Sequence, residues 1–366
     1  MPKGEFLCIF AAVALTASSA RAGYTYTDLY TFQVPSATVG NVSVDTSGKS
    51  VGRANNHAQL WNGPSGSATD LNPSSYLSSV AVRNNATQQV GWGAPTASST
   101  HALLWTGTAA SAVDLNPSGF TDSDAEGLSG SQQVGLAYGP ATSNNSHAIL
   151  WTGSAASAVD LNPSGYSYST AWGTNGTQQV GYGHLTGDSH ERALLWNGTA
   201  ASFVDLNPSG FGASNAFATT GTQQVGWGGV VGDGTDTRAL LWAGNAASVV
   251  NLNPSGFTFS QALATNGTVQ AGYGSGPSTG NSYHALAWTG TAGSAVDLNS
   301  LLPATFTSST ATSVDATGNV YGYAVDSGGA YHAIEWAATP EPSSLAILIF
   351  GGSVTLRRRR TDSIRR

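Results

Sequence analysis

The segment STAWGTNGTQQVGYG (residues 169–183), followed by RALLW (192–196) and VDLN (204–207), decides how the chain folds. Asn175-Gly176 stands between two runs of alternating character, and Asn-Gly in that setting is a strong hairpin signal. The pattern predicts four short strands: Ser169 to Asn175, Thr177 to Tyr182, Ala193 to Trp196 and Phe203 to Asn207. No sustained 3.6-residue hydrophobic period competes with them between Gly23 and Ala338.

The same phrases recur along the chain. The tryptophans of an H/R-A-x-x-W motif fall at Trp61, Trp105, Trp151, Trp196, Trp242, Trp288 and Trp336, at intervals of 44 to 48 residues. Nine residues after each of the first six comes D/N-L-N, beginning at Asp70, Asp114, Asp160, Asp205, Asn251 and Asp297. A glycine follows 21 residues later in five of these six cases, at Gly91, Gly135, Gly181, Gly226 and Gly272, and at Gly322 in the sixth. From glycine to tryptophan the distance varies, so insertions collect in one surface loop per unit.

Four strands in about 45 residues is the size of a propeller blade, about twice a leucine-rich or β-helix coil. The expected fold is therefore all-β, a seven-bladed β-propeller over residues 24–338. Small-residue strands such as Gln261 to Ala264 should lie innermost and D-L-N strands outermost. The last unit ends at Trp336 without its D-L-N, whereas Asp28-Leu29 precedes the first complete unit. These two deficits match. The expectation is that Asp28-Leu29 pairs beside His332 to Trp336 and closes the ring, covering an otherwise free edge.

The termini carry a different message. Residues 1–22 combine Lys3, an apolar run from Phe6 to Leu15 and Ala20-Arg21-Ala22, the pattern of a secretory signal peptide. The one cysteine, Cys8, lies inside it, so disulfides and thiol chemistry are not expected of the exported body. From Gly23 to Ala338 there are 17 Asp and Glu against five Lys and Arg, an acidic balance that argues against a nucleic-acid partner. At the other end, in residues 339–366, Pro340, Glu341 and Pro342 precede a short apolar stretch, Ser343 to Leu356, and then Arg357, Arg358, Arg359 and Arg360. That order resembles the PEP-CTERM sorting signal of exported bacterial proteins. The resemblance implies signal peptidase and exosortase as processing partners, transient membrane insertion, and delivery to the cell surface or extracellular matrix. The H-A-x-x-W and D-L-N phrases resemble the HAF-repeat family of extracellular proteins, although the aromatic usual after His-Ala is here Gln59, Leu103, Ile149, Leu194, Leu240, Leu286 or Ile334. That family supplies no catalytic residues to carry over.

Candidate chemistry is sparse. His57, His101, His147, His284 and His332 share one repeat slot with Arg192 and Arg238. Positions spread around a ring cannot converge on one ion, so the slot is expected to make a polar hydrogen bond between blade layers. The repeated aspartates are expected to cap turns, as Asn251 also can. His184, Asp188, His190 and Glu191 are expected to form a solvated loop, with metal binding as the alternative. Asp122, Asp124, Glu126 and Gly127 form a D-x-D-x-E-G run, and Asp233-Gly234 with Asp236 a second acidic loop. The EF-hand pattern fails in the first, where Gln133 stands in place of Glu at position twelve counted from Asp122, and calcium binding there is the alternative expectation. Ser43-Val44-Asp45 and Ser313-Val314-Asp315 read as hairpin turns with Gly48 and Gly318. No G-x-S-x-G, H-E-x-x-H or phosphate loop occurs.

The expectation is a non-enzymatic surface scaffold with no cofactor and no catalytic or metal residue, binding an extracellular polysaccharide or surface protein through its variable loops. Trp92, Tyr182, Trp227 and Tyr273 are expected to pack between blades, with stacking on sugar rings as the alternative. The rival expectation is a polysaccharide hydrolase or lyase using acids from Asp122, Asp124, Glu126, Asp188 and Glu191.

Overall fold

The computed structural model describes residues 23–32, 42–63, 67–230 and 236–339. The expected signal peptide, the sorting-signal residues Pro340 to Pro342 and Arg357 to Arg360, and Asp233-Gly234 lie outside the described residues. Among those described, no helix is long and apolar enough to cross a membrane.

Residues Tyr24–Ala338 form one compact unit of antiparallel sheets. Among the described residues there are five four-stranded sheets and one eight-stranded sheet. The larger sheet consists of two four-strand groups linked by a single parallel pairing, Thr237 with Phe259. The fold is all-β and propeller-like, with several blades.

The blade read from residues 169–207 has strands Tyr166–Thr174, Gln179–Leu185, Arg192–Trp196 and Val204–Asp205, paired in that order. Its first two strands reach three residues beyond the expected limits at the loop end, where Tyr166 pairs with Leu185. Its outer strand is shorter than expected, because Asp205 turns the chain: its Oδ1 accepts the Asn207 amide at 2.8 Å. The hairpin spans Asn175–Gln178, with Gly176 at φ +94° and the Asn175 side chain accepting the Thr177 and Gln178 amides. Asp45 and Asp315 hold the corresponding turns in the same way, as the sequence suggested.

Seams between blades use a serine that the repeat pattern does not advertise. Ser169 Oγ accepts the Ala148 amide of the preceding blade at 2.9 Å and donates to Asn162 Oδ1 at 2.7 Å. Ser79, Ser123, Ser214, Ser260 and Ser309 repeat both bonds. Each D-L-N asparagine thus ties the end of one blade to the first strand of the next, a site where a buried hydroxyl is fully satisfied. Beside the seams lie the motif tryptophans; Trp105, Trp151, Trp196, Trp242 and Trp336 are completely buried.

The expected pairing of the first strand with the last is present. Strand Gly23–Phe32 is hydrogen-bonded to strand Tyr331–Thr339, giving the last sheet its fourth strand from the other end of the chain. Asp28 Oδ2 meets His332 Nδ1 at 2.7 Å, replacing the aspartate that follows the other motif histidines.

Candidate functional site

A glycine, a bulge and an axial residue recur together in the blades and build the site. In the first strand of the 166–205 blade, pairing skips a residue between Ala171 and Gly173, so Trp172 bulges out. The opposing Gly181 makes room: a Cβ there would lie 1.9 Å from the Thr170 carbonyl oxygen. Equivalent skips expel Val82, Glu126, Phe217, Leu263 and Thr312. Bulges re-aim side chains, and here Trp172, Phe217, Leu263 and Thr312 come to line a common cavity.

Two cavities meet at this tier. The smaller, about 220 Å³, opens toward the hairpins and includes Asp45, Asn84, Leu128 and Thr174. The larger, about 510 Å³, is lined by Val42, Arg83, Gln261, Tyr273, Tyr283, Thr310 and Tyr323. Both share Arg83, Trp172, Phe217, Leu263 and Thr312, which form the waist between them. Strand order places the larger cavity at the end that carries the loops of variable length. Its volume is that of an ordinary small-ligand pocket, and aromatic walls with a few polar groups are the usual lining of such pockets.

Above the waist the first strands present Asp124, Thr170, Asn215, Gln261 and Thr310 in one register position, each cross-paired with the residue after the repeat glycine. Gln261 accepts the Tyr273 hydroxyl at 3.1 Å. Tyr273 packs edge-on against Tyr283, with ring centroids 5.2 Å apart, and Tyr283 is half exposed. Tyr273 therefore lines the cavity instead of being confined between blades. Tyr182 stays within its own blade, packed with Tyr168 and Trp172.

The D-x-D-x-E-G run is a correction to the loop reading: it forms the inner strand Asp122–Ser129. Asp122 is buried and accepts the Thr100 amide at 2.8 Å. Burial, followed by the charge of Asp122, pushes Asp124 up to about 6. Burial and then the charge of Asp124 push Glu126 up to about 7, against the opposing pull of Arg83. Desolvated carboxylates of this kind mark functional sites more often than chance.

These shifts fix a pH dependence. Folded Glu126 and Asp124 keep protons that the unfolded chain has lost, so their contribution to stability is greatest below about pH 4 and is lost as pH rises through about 7. Glu126→Gln should flatten that fall and raise unfolding free energy at pH 8 by about 1–3 kcal/mol. Urea melts of both proteins at pH 5 and pH 8 measure it; equal slopes would contradict the placement of Glu126.

Other candidates resolve into structure. His57, His101, His147 and His284 each contact the aspartate thirteen residues on, Nδ1 to Oδ2 at 2.7 to 2.8 Å. The bond joins third and outer strands of one blade, not separate layers. Arg192 keeps the pattern with Asp205, but where Asn251 replaces the acid, Arg238 turns to Asp236 at 2.7 Å. His184 lies in a strand, not a loop, and packs on Tyr168 and Tyr182; burial lowers its pKa. His190 pairs with Asp188 at 2.6 Å, and Glu191 reaches Asn215 at 3.4 Å. The described residues contain no cluster of three or more His, Cys, Asp or Glu suited to a metal.

No protein-family model and no curated protein matches the sequence. Among solved structures, a puromycin hydrolase propeller is similar at TM-score 0.51 and 13% identity, covering 89% of this chain and 55% of that one. TolB from Acinetobacter baumannii is similar at TM-score 0.42 and 11% identity, over 80% of this chain and 64% of that one. A Mycobacterium tuberculosis puromycin-hydrolyzing peptidase gives 0.44 and 12%, over 88% and 53%. This chain thus spans about half of the hydrolase chains. At such identities the likeness concerns the fold, a β-propeller.

Proposed function

We propose that residues 24–338 close as a ring of seven four-stranded blades, carried by an exported cell-surface or matrix protein, which binds a polysaccharide chain in the larger axial cavity without cleaving it. Support for the count comes from seven inner strands, Ser43–Val44, Ser78–Asn84, Asp122–Ser129, Tyr166–Thr174, Phe211–Thr219, Phe259–Thr265 and Phe306–Val314, each opening a four-strand group. Export rests on the sequence patterns at residues 1–22 and 340–360.

The observation that carries the binding reading is the cavity wall. Trp172, Phe217, Tyr273, Tyr283 and Tyr323 offer ring faces for sugars, and Gln261, Thr310 and Thr312 offer hydrogen bonds to hydroxyls. A glycan array probed with residues 23–339 tests it, with Tyr273→Ala as control. Binding without released product, lost in the variant, is expected. Absence of any glycan ligand, or capture of a surface protein instead, would overturn the reading. Raised carboxyls at Asp124 and Glu126 favour the rival, a hydrolase with one of them as general acid, and released product would establish it.

A further inference from the structure

We propose, resting on the carbohydrate reading above, that the axial cavity selects sugars bearing a carboxylate and that Arg83 binds that group. Arg83 is the one charged residue among those lining the 510 Å³ cavity, and it lines the smaller cavity as well. Its guanidinium donates to the neighbouring Val82 carbonyl at 3.2 Å. Among the described residues no carboxylate lies within 4 Å of it, whereas Arg192 and Arg238 each hold an aspartate. A half-buried guanidinium with donors to spare calls for a planar anion, and its fork matches a carboxylate in bidentate fashion.

The walls suit the rest of such a ligand. Trp172, Phe217 and Tyr273 line the same cavity as Arg83, and Gln261 adds an amide to its wall. A neutral sugar would bring the guanidinium no counter-charge, and a cationic one would repel it.

Neighbouring acids set the pH at which the site works. The charged and titratable groups around Arg83 are Glu126 from the next blade and Tyr323 from the last sheet, with Asp124 and then Asp122 behind Glu126, and Asp45 shares the smaller cavity with it. Tyr323 is neutral in this range, since burial raises it further. Near pH 8 Glu126 and Asp124 are ionised and compete with a ligand carboxylate for Arg83. In mild acid they hold their protons while a uronate, with an ordinary carboxyl pKa of roughly 3.5, stays charged. Uptake should therefore strengthen as pH falls.

Calorimetric titration decides the matter, using a galacturonic acid hexamer and its carboxyl-reduced counterpart at pH 5.5 and pH 8. The acid should bind about tenfold more tightly than the reduced hexamer, and about tenfold more tightly at pH 5.5 than at pH 8. Arg83→Gln should erase the preference for the acid. Equal binding of both hexamers overturns the assignment and leaves the carbohydrate reading intact. Failure of both to bind at either pH overturns the assignment, while the glycan array judges the broader reading separately. Tighter binding at pH 8 also overturns it. Should Arg83→Gln fail to fold, the acid-to-neutral comparison and the pH profile of the unaltered protein carry the test.

Discussion

Deletion of Tyr24–Phe32 should turn the protein into an aggregating species. The strand that contains these residues lies on the edge of Tyr331–Thr339 and buries Tyr24, Tyr30 and Phe32, the last at 2% exposure. Phe32 packs on Trp61 and Tyr331, with centroids 5.1 and 5.9 Å away, so the strand joins the first and last sheets. Three buried aromatics at about 1.5–3 kcal/mol each would remove roughly 4.5–9 kcal/mol, comparable with the whole stability of a typical domain. The deletion also bares an unpaired edge. Size-exclusion chromatography and thermal melting check this, and a synthetic peptide of residues 23–32 should restore part of the melting temperature. A deleted chain that elutes as the parent does and melts within about two degrees of it would refute the closing role.

Gly181→Ala should cost about 3 kcal/mol or more, although it adds a single methyl group. The new Cβ would sit 1.9 Å from the Thr170 carbonyl oxygen and 2.8 Å from Ala171 Cα, both backbone atoms that no rotamer change can move. Relief requires undoing the bulge that sends Trp172 to the axis, so the variant should lose ligand affinity along with stability. Gly176→Ala is the contrast. There the only penalty is a positive φ, +94°, with no heavy atom closer than 3.9 Å, and roughly 1 kcal/mol is expected. Chemical denaturation of both variants measures the gap; equal losses would mean that the close approach at Gly181 does not constrain the strand.

Sequence periodicity exposes whatever the repeat holds constant. The tryptophan and D-L-N spacings reveal the third and outer strands, and the unmatched Asp28-Leu29 reveals the closure. The axial site escapes because it is built on a register slip: a one-residue bulge flips the strand's faces, so alternation read through residues 166–174 misassigns Trp172. Asp122, Asp124 and Glu126 resemble a loop because their strand, DSDAEGLS, lacks the apolar face that identifies most strands. A usable signal was present nonetheless. Ala81, Ala125, Ala171, Ala216, Ala262 and Ala311 recur in one repeat position, and the residue after each varies among Val82, Glu126, Trp172, Phe217, Leu263 and Thr312. One variable position behind a recurrent alanine marks the bulged residue. The seam serines are hidden for the opposite reason, since serine is common throughout the chain.

A structure of residues 23–339 with a bound acidic oligosaccharide tests the central claim most directly. The sugar should occupy the axial cavity at the variable-loop end, with one ring against Trp172 or Tyr273 and a carboxylate within hydrogen-bond reach of Arg83. A ligand seated on the outer rim, along the exposed Val113, Val159 and Val250, with the axis left to water, would contradict it.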